Sequence, residues 1–264
     1  PLEAMGMTLV FDEHGPALPE PIRSAADVAA LRVPEPAGTM PYVGEALRIV
    51  RRELPSETAL IGFCGAPFTL ASYAVEGGTG KSFAALRSLM YRAGPTFTAL
   101  MDKLAATVAR HLRYQIECGA EAVVLFDSWA GTLTREDYRE FAAPWTARVL
   151  AEVEGLVPRI VFAAGGDHLL EEQVALGAEC VALDHRTSIG QAFERFGGRT
   201  ALQGNLDPAA LLSTPDDVRR RTRELLREVG GRQGHVLNLG HGVLKETDPE
   251  CVAAFVETAR EARR

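Results

Sequence analysis

The chain has few cysteines, no continuous basic segment and no long hydrophobic run. Its 264 residues include four widely spaced cysteines with no Cys-x-x-Cys pair, so neither a disulfide framework nor a zinc knuckle is predicted, and buried thiols in a reducing compartment are expected. No apolar run approaches the roughly 20 residues of a transmembrane helix. The net charge of −7 argues against nucleic-acid binding, which needs a basic surface. These absences favour a soluble cytoplasmic protein with no nucleic-acid or membrane partner.

Six apolar runs are present instead, and each ends in a glycine-containing or acidic corner. Segments with helical character separate them, which predicts the alternating β and α units of a parallel sheet. Function in such folds lies where the strands end, so the corners are the first candidates for a site. The runs cover residues 60–65, 123–128, 160–165, 181–184, 201–205 and 236–241.

The organisation along the chain indicates one domain over residues 1–264, because no linker or low-complexity tract interrupts it. Residues 1–40 are rich in proline and are interpreted as a hairpin or lip. Helices are expected over 42–52 and, with one apolar stripe, over 96–118. The length suits a (β/α)8 barrel, yet only six βα units are found. Either the sheet is open with six strands, or two units precede Pro1.

Two familiar kinds of site receive little support. Residues 77–82 match the end of a phosphate-binding loop, but Val75 stands where the leading glycine belongs and no strand leads directly into the segment. Six side chains at or just past strand ends could converge on a metal, although none shows a paired-ligand spacing. Two of them, Asp184 and Asp207, are expected to cap helices instead. The six are His168, His185, His241, Asp127, Asp184 and Asp207.

Three corner residues can be read in two ways from their spacing alone. Ser128 lies outside any Gly-x-Ser-x-Gly pattern, so it is either a hydrogen-bond donor to a bound polar group or a loop serine. Tyr73 is either functional or a packed aromatic, and His241 is either functional or a surface residue.

The amino-acid sequences of the corners are more specific than their spacing. Residues 62–70 (Gly-Phe-Cys-Gly-Ala-Pro-Phe-Thr-Leu) with 73–78, and then 125–131, 202–208 and 238–242, resemble a signature of the uroporphyrinogen decarboxylase family in the family's order. The similarity extends from Pro1 to the final helix. It implies a distorted (β/α)8 barrel, α/β in class, with a deep cleft at the carboxyl ends of its strands. About six units are then present because two lie upstream of Pro1.

The resemblance also implies a function. The family removes the four acetate carboxyl groups of uroporphyrinogen III as carbon dioxide, giving coproporphyrinogen III, with neither metal nor organic cofactor. The protonated substrate is its own electron sink. The implied partner is therefore a small molecule, and the implied assembly is a homodimer. Because the family's key aspartate and its arginine loop would lie before Pro1, we expect the 264-residue chain to be inactive on its own.

Site residues are carried over only where the motifs match. Tyr73, Ser128 and His241 match the family's substrate contacts, and Phe63 is expected to line the cleft wall. No catalytic or metal-binding residue is assigned in this chain. His185 departs from the tryptophan that often follows the aspartate of that corner in the family.

Two alternative functions remain at this point. One is a related corrinoid methyltransferase, although the cysteine expected near its final corner is absent and Val243 and Leu244 follow His241-Gly242. The other is a non-catalytic fragment that binds tetrapyrroles.

Overall fold

A computed structural model describes residues 1–12, 15–78 and 82–262. Its internal contacts divide the chain into two compact units, Pro1–Arg159 and Ile160–Arg264, and each is described by itself below. The predicted α/β class is confirmed, since all six predicted strands form and helices follow them. The assignment of one domain stays a prediction. No helix in the described part of the chain has both the length and the apolar character needed to span a bilayer.

The first unit opens with the proline-rich segment. Strands β1 (Val10–Asp12) and β2 (Gly15–Ala17) pair antiparallel, with Val10 opposite Ala17, where a hairpin was expected. Two short helices that were not predicted follow, α1 (Ala25–Ala30) and α2 (Pro36–Thr39).

Two parallel strands form the sheet of the first unit. Strand β3 (Ile61–Gly65) runs beside β4 (Ala122–Asp127), and the register places Phe63 opposite Val124 and Gly65 opposite Phe126. Because the strands are parallel, their carboxyl ends lie at one edge. The helices of this unit are α3 (Pro41–Glu53), α4 (Pro67–Glu76), α5 (Ala84–Arg92), α6 (Gly94–Glu117), α7 (Arg135–Phe141) and α8 (Ala143–Glu152).

Helix α6 is the central element of the first unit and contacts α3, α4, α8 and β3. Its apolar stripe was predicted correctly, except that Ile116 is only half-buried. Gly44 of α3 lets the two helices approach closely, since a Cβ at this position would lie 2.7 Å from the Cys118 Sγ. The buried members of the stripe are Leu100, Leu104, Val108, His111 and Leu112. All four cysteines of the chain are free and buried.

The second unit contains the remaining parallel strands. Strand β5 (Arg159–Ala163) begins at the boundary between the units and pairs with β6 (Cys180–Ala182). Strand β6 also pairs with β7 (Ala201–Gln203), and β7 pairs with β8 (His235–Val236). Their order in the sheet follows the chain. The helices are α9 (Leu170–Ala175), α10 (Ile189–Phe196), α11 (Pro215–Val229) and α12 (Pro249–Ala262).

Helix starts were predictable from local sequence. The Thr134 side chain accepts a hydrogen bond from the Asp137 backbone N–H, and Thr214 does the same for Asp217. Such caps satisfy N–H groups that have no partner within the helix. Asp207 caps a short 3₁₀ helix, Pro208–Leu212, as expected. The core of the suspected phosphate loop, residues 79–81, lies outside the described residues.

Helix α4 starts without a side-chain cap of its own, because its N-cap residue is Ala66. Contacts from β4 replace it. The Ala66 N–H donates to the Phe126 carbonyl at 2.9 Å, and the Thr69 hydroxyl donates to the buried Asp127 carboxyl at 2.8 Å. Burial raises the pKa of Asp127 to about 7, although the hydroxyl and backbone N–H of Thr69 act in the opposite direction. The first turn of α4 is therefore held against the end of β4.

Buried His111 should make stability fall in acid. Burial lowers its pKa to about 4, so the folded protein holds the neutral ring, whereas the unfolded chain takes up a proton below about pH 6.5. Between pH 6.5 and 4, we expect the free energy of unfolding of the parent to fall by up to about 3 kcal/mol relative to that of His111→Leu, because one pKa unit is worth about 1.4 kcal/mol. Urea unfolding across this range measures it. A constant difference between the two proteins would contradict the burial of a neutral ring.

Asp127 should have the opposite pH dependence. Its raised pKa means that the folded protein retains a proton that the unfolded chain releases above about pH 4, so the parent loses stability as the pH rises from 4 to 7. We expect the free energy of unfolding of the parent to fall by up to about 4 kcal/mol relative to that of Asp127→Asn. The same urea series tests this, with exposed Asp216→Asn as the control that follows the parent. A parent that gains stability over this range would show that the carboxyl is ionised in the fold.

Candidate functional site

Three aromatic rings gather where β4 ends and α4 runs past it. The Tyr73 ring of α4 meets the Trp129 ring edge-on, with centroids 6.2 Å apart, and the Phe83 ring lies 5.0 Å from that of Trp129. Ser128 directly precedes Trp129 in the turn after β4, and both residues are half-buried. Two of the predicted substrate contacts, Tyr73 and Ser128, therefore belong to one neighbourhood of the first unit.

The side-chain polar atoms of this neighbourhood have no hydrogen-bond partner among the described residues. Neither the Tyr73 hydroxyl nor the Ser128 hydroxyl forms a hydrogen bond with another described residue, and the indole N–H of Trp129 is buried without one. In the same helix, by contrast, the hydroxyls of Thr69 and Ser72 are both bonded. The indole N–H is the costly group, because an unmade hydrogen bond at a buried group costs about 1–3 kcal/mol, and this makes it a candidate for binding a ligand. The two hydroxyls belong to half-buried residues and are free to bond the same ligand.

Phe63 presents an exposed apolar surface on strand β3. Its side chain is 62% exposed, and its ring lies 6.1 Å from that of Phe126, which is also exposed. The buried Gln115 amide holds the Phe63 backbone from both sides, accepting from its N–H and donating to its carbonyl at 2.9 Å each. The position of Phe63 is thus well defined, as a wall residue requires.

His241 lies in the second unit, in the segment after β8. It is exposed, and its ring meets the Phe162 ring of β5 edge-on at 6.4 Å. No described residue forms a hydrogen bond with it. The preceding Gly240 is buried against the backbone of His185, with which any Cβ would collide. Glycine is therefore required for this segment to pass the end of β6.

Asp184 does not cap a helix, so that prediction was wrong. Its buried carboxyl accepts hydrogen bonds from the Gly165 backbone N–H at 2.8 Å, from the Arg186 backbone N–H at 3.0 Å and from the Arg186 guanidinium at 2.7 and 2.8 Å. Burial disfavours the charge, yet these donors outweigh it and hold the pKa of Asp184 well below its usual range. Ser188 caps helix α10 instead, by accepting from the Gln191 N–H.

A neighbouring amide completes this corner of the second unit. The Asn205 Nδ2 donates to the carbonyls of Asp184 and Thr187 at 2.7 Å, which joins the ends of β6 and β7. The His185 Nδ1 lies 3.6 Å from the nearer Asp184 oxygen. This network supports the rim of the second unit on which His241 stands.

The metal alternative finds no cluster to support it in the part of the chain that the structure describes. No group of three or more His, Cys, Asp and Glu side chains there could hold a metal ion. Asp184 is already occupied by Arg186, and Asp207 caps the 3₁₀ helix, accepting from the Ala209 N–H.

Sequence reasoning missed several residues that shape these sites. Thr69 received no role and Asp127 was considered only as a metal ligand, although Thr69 stands one helical turn before Tyr73 and Asp127 ends a buried strand. Arg186 was also missed, two residues after the aspartate that it binds. Spacing could have suggested the Arg186 pair, whereas the partner of Asp127 lies 58 residues away and leaves no local pattern.

Comparison with known proteins gives a consistent result for the whole chain. The family model described as uroporphyrinogen decarboxylase matches residues 1–262. Among curated proteins, the uroporphyrinogen decarboxylase of Syntrophotalea carbinolica is 45% identical over 258 residues, which is 97% of this chain and 75% of the relative. That of Thioalkalivibrio sulfidiphilus is 44% identical, covering 98% of this chain and 76% of the relative.

Solved structures agree on the fold. A methyltransferase from Methanosarcina mazei superimposes with a TM-score of 0.84 at 21% identity, over 100% of this chain and 77% of that protein. A B12-independent methionine synthase from Shewanella gives 0.59 at 12% identity, over 83% of this chain and 67% of that one. At such identities the likeness concerns the fold alone. The sequence matches, together with the α/β fold of TIM-barrel type, show that this chain belongs to the uroporphyrinogen decarboxylase family.

Proposed function

We propose that this chain carries the substrate-binding corners of a decarboxylase that converts uroporphyrinogen III to coproporphyrinogen III and carbon dioxide, in porphyrin and heme biosynthesis. Family membership supports the reaction. The observation that carries the site is that Tyr73, Ser128 and His241 keep their polar atoms free of described protein partners while remaining accessible. All three follow the ends of parallel strands, where α/β folds place their ligands.

The proposed chemistry uses the substrate as its own electron acceptor. A proton added to a pyrrole ring carbon makes a cationic ring, which receives the electron pair of the breaking bond between the acetate CH₂ and its carboxylate. Carbon dioxide leaves, the ring proton is returned, and a proton on the exocyclic carbon completes the methyl group. Each acetate thus consumes one proton and releases one carbon dioxide. No electron sink beyond the substrate is needed, so we propose that no cofactor takes part.

The chain's own residues would bind and orient the macrocycle. The hydroxyls of Tyr73 and Ser128 can donate to substrate carboxylates, and the His241 ring can do so with either nitrogen. These donors suit an octa-anion, since hydrogen bonds to charged groups are the stronger ones. Phe63 offers an apolar surface to the ring system. Its backbone is held by Gln115, and its ring lies 6.1 Å from that of Phe126.

We further propose that the protein works in the cytoplasm as a homodimer with a small-molecule substrate. The support for this assembly and compartment is the family resemblance. Light scattering on the purified protein measures the assembly, and a monomer at micromolar concentration would contradict it.

Turnover is the first test. We expect anaerobic incubation with uroporphyrinogen III, followed by oxidation and separation of the porphyrins, to show hepta-, hexa- and pentacarboxylate intermediates and then coproporphyrin. The assay uses the protein as its gene encodes it. Unchanged octacarboxylate would contradict the proposed reaction.

Substitution of the three proposed contacts is the second test. Tyr73→Phe, Ser128→Ala and His241→Asn should each lower kcat/KM by roughly 10- to 100-fold, because each removes a hydrogen bond to a charged substrate. Their unfolding midpoints should stay near the parent's, since no described residue loses a hydrogen bond. Tyr91→Phe is the matched control, because the Tyr91 hydroxyl bonds Asp137 instead. The site assignment fails if Tyr73→Phe is as active as Tyr91→Phe.

A further inference from the structure

We propose that Asp127 is a positioning residue: through Thr69, its buried carboxyl fixes the start of helix α4 and thereby sets the place of the Tyr73 hydroxyl relative to Ser128. This inference rests on the proposed function. It assigns to Asp127 and Thr69 a part in a site that they do not themselves line.

The contact is built as an anchor. Asp127 is 4% exposed and Thr69 is 3% exposed, and the Thr69 hydroxyl donates to one carboxyl oxygen at 2.8 Å. The other oxygen is buried and has no hydrogen-bond partner in the part of the chain that the structure describes. Thr69 is therefore the one side chain among the described residues that bonds this carboxyl.

Two substrate contacts extend from this anchor in opposite directions. Tyr73 follows Thr69 by four residues in α4, so the two lie one turn apart on the same face of the helix. Ser128 follows Asp127 directly along the chain. A shift of α4 along β4 would therefore change the separation of the Tyr73 and Ser128 hydroxyls, because Thr69 and Asp127 are the side-chain link between the two elements at this point.

The anchor also replaces a missing helix cap. Ala66 has no side chain that could accept from the first N–H groups of α4, and Pro67 supplies no N–H. The Thr69 hydroxyl, in the first turn of α4, donates to the Asp127 carboxyl instead. An acceptor on the neighbouring strand thus holds this turn in place, whereas a local cap would satisfy a helix N–H group without fixing α4 to β4.

Two matched pairs of variants test the anchor. Thr69→Val removes the hydroxyl donor, whereas Thr69→Ser keeps it. Asp127→Leu removes the acceptor, whereas Asp127→Asn keeps an acceptor oxygen in a side chain of the same size. We expect the first member of each pair to lower kcat roughly 10- to 100-fold, as supporting contacts of a site typically do. The second member should stay within about threefold of the parent. Kinetics are measured on folded protein, well below each unfolding midpoint.

A cycle with Tyr73→Phe separates positioning from a general loss of stability. If the anchor acts by placing the Tyr73 hydroxyl, Thr69→Val should lower kcat by less than about threefold once that hydroxyl is gone. Ser72→Ala is the structural control, since it removes a buried hydroxyl that bonds only the Phe68 carbonyl within α4. We expect this control to retain the parent's kcat.

The outcomes distinguish this inference from the function beneath it. Binding of uroporphyrin is measured by the quenching of tryptophan fluorescence. A parent that neither decarboxylates uroporphyrinogen nor binds uroporphyrin overturns the proposed function and this inference with it. An active parent whose Thr69→Val and Asp127→Leu forms keep its kcat and KM overturns the positioning role alone. The positioning role is also overturned if the double variant loses kcat by the full product of the fold-losses of Thr69→Val and Tyr73→Phe.

Discussion

The hydrogen bond between Thr69 and Asp127 is the contact on which the candidate site of the first unit depends. It joins the start of α4 to the end of β4 at 2.8 Å, inside the core. A buried carboxyl is costly to ionise, and a single hydroxyl donor offsets only part of that cost. The carboxyl therefore carries its proton through the acid range, with a pKa raised to about 7. This chain places such a group next to Ser128 and, through Thr69, one helical turn from Tyr73, and these are the two proposed substrate contacts of the first unit.

The second unit solves a similar problem differently. Asp184 also lies just past a buried strand, but it receives two backbone N–H groups and two bonds from the Arg186 guanidinium. These donors compensate its charge, so its pKa is lowered even though burial acts to raise it. The number and charge of the donors, and not burial alone, decide whether an aspartate at a strand end stays ionised.

The sequence was sufficient for features that depend on neighbours along the chain. All six strands, the stripe of α6 and the caps at Thr134 and Thr214 follow from periodicity and local hydrogen bonding. The roles of Asp127 and Asp184 were not predictable in this way. The donor to Asp127 lies 58 residues away, and Asp184 is bonded from the end of another strand, at Gly165. Spacing therefore identified the corners, while tertiary contacts decided what each aspartate does. The three proposed substrate contacts came from the resemblance and not from spacing.

The pattern of made and unmade hydrogen bonds gives the strongest physical reason to place a ligand at these corners. Within α4, the hydroxyls of Thr69 and Ser72 are bonded, whereas that of Tyr73 bonds no other described residue. The same contrast separates Asn205, which donates twice, from His241, which bonds no described residue. Water reaches the Tyr73 and His241 side chains, so folding does not require a protein partner for them and they stay available to a ligand. Free donors beside hydrogen-bonded residues are expected where a polar ligand supplies the missing partners. An octa-anionic macrocycle brings acceptors of the kind that hydroxyl and imidazole donors bind.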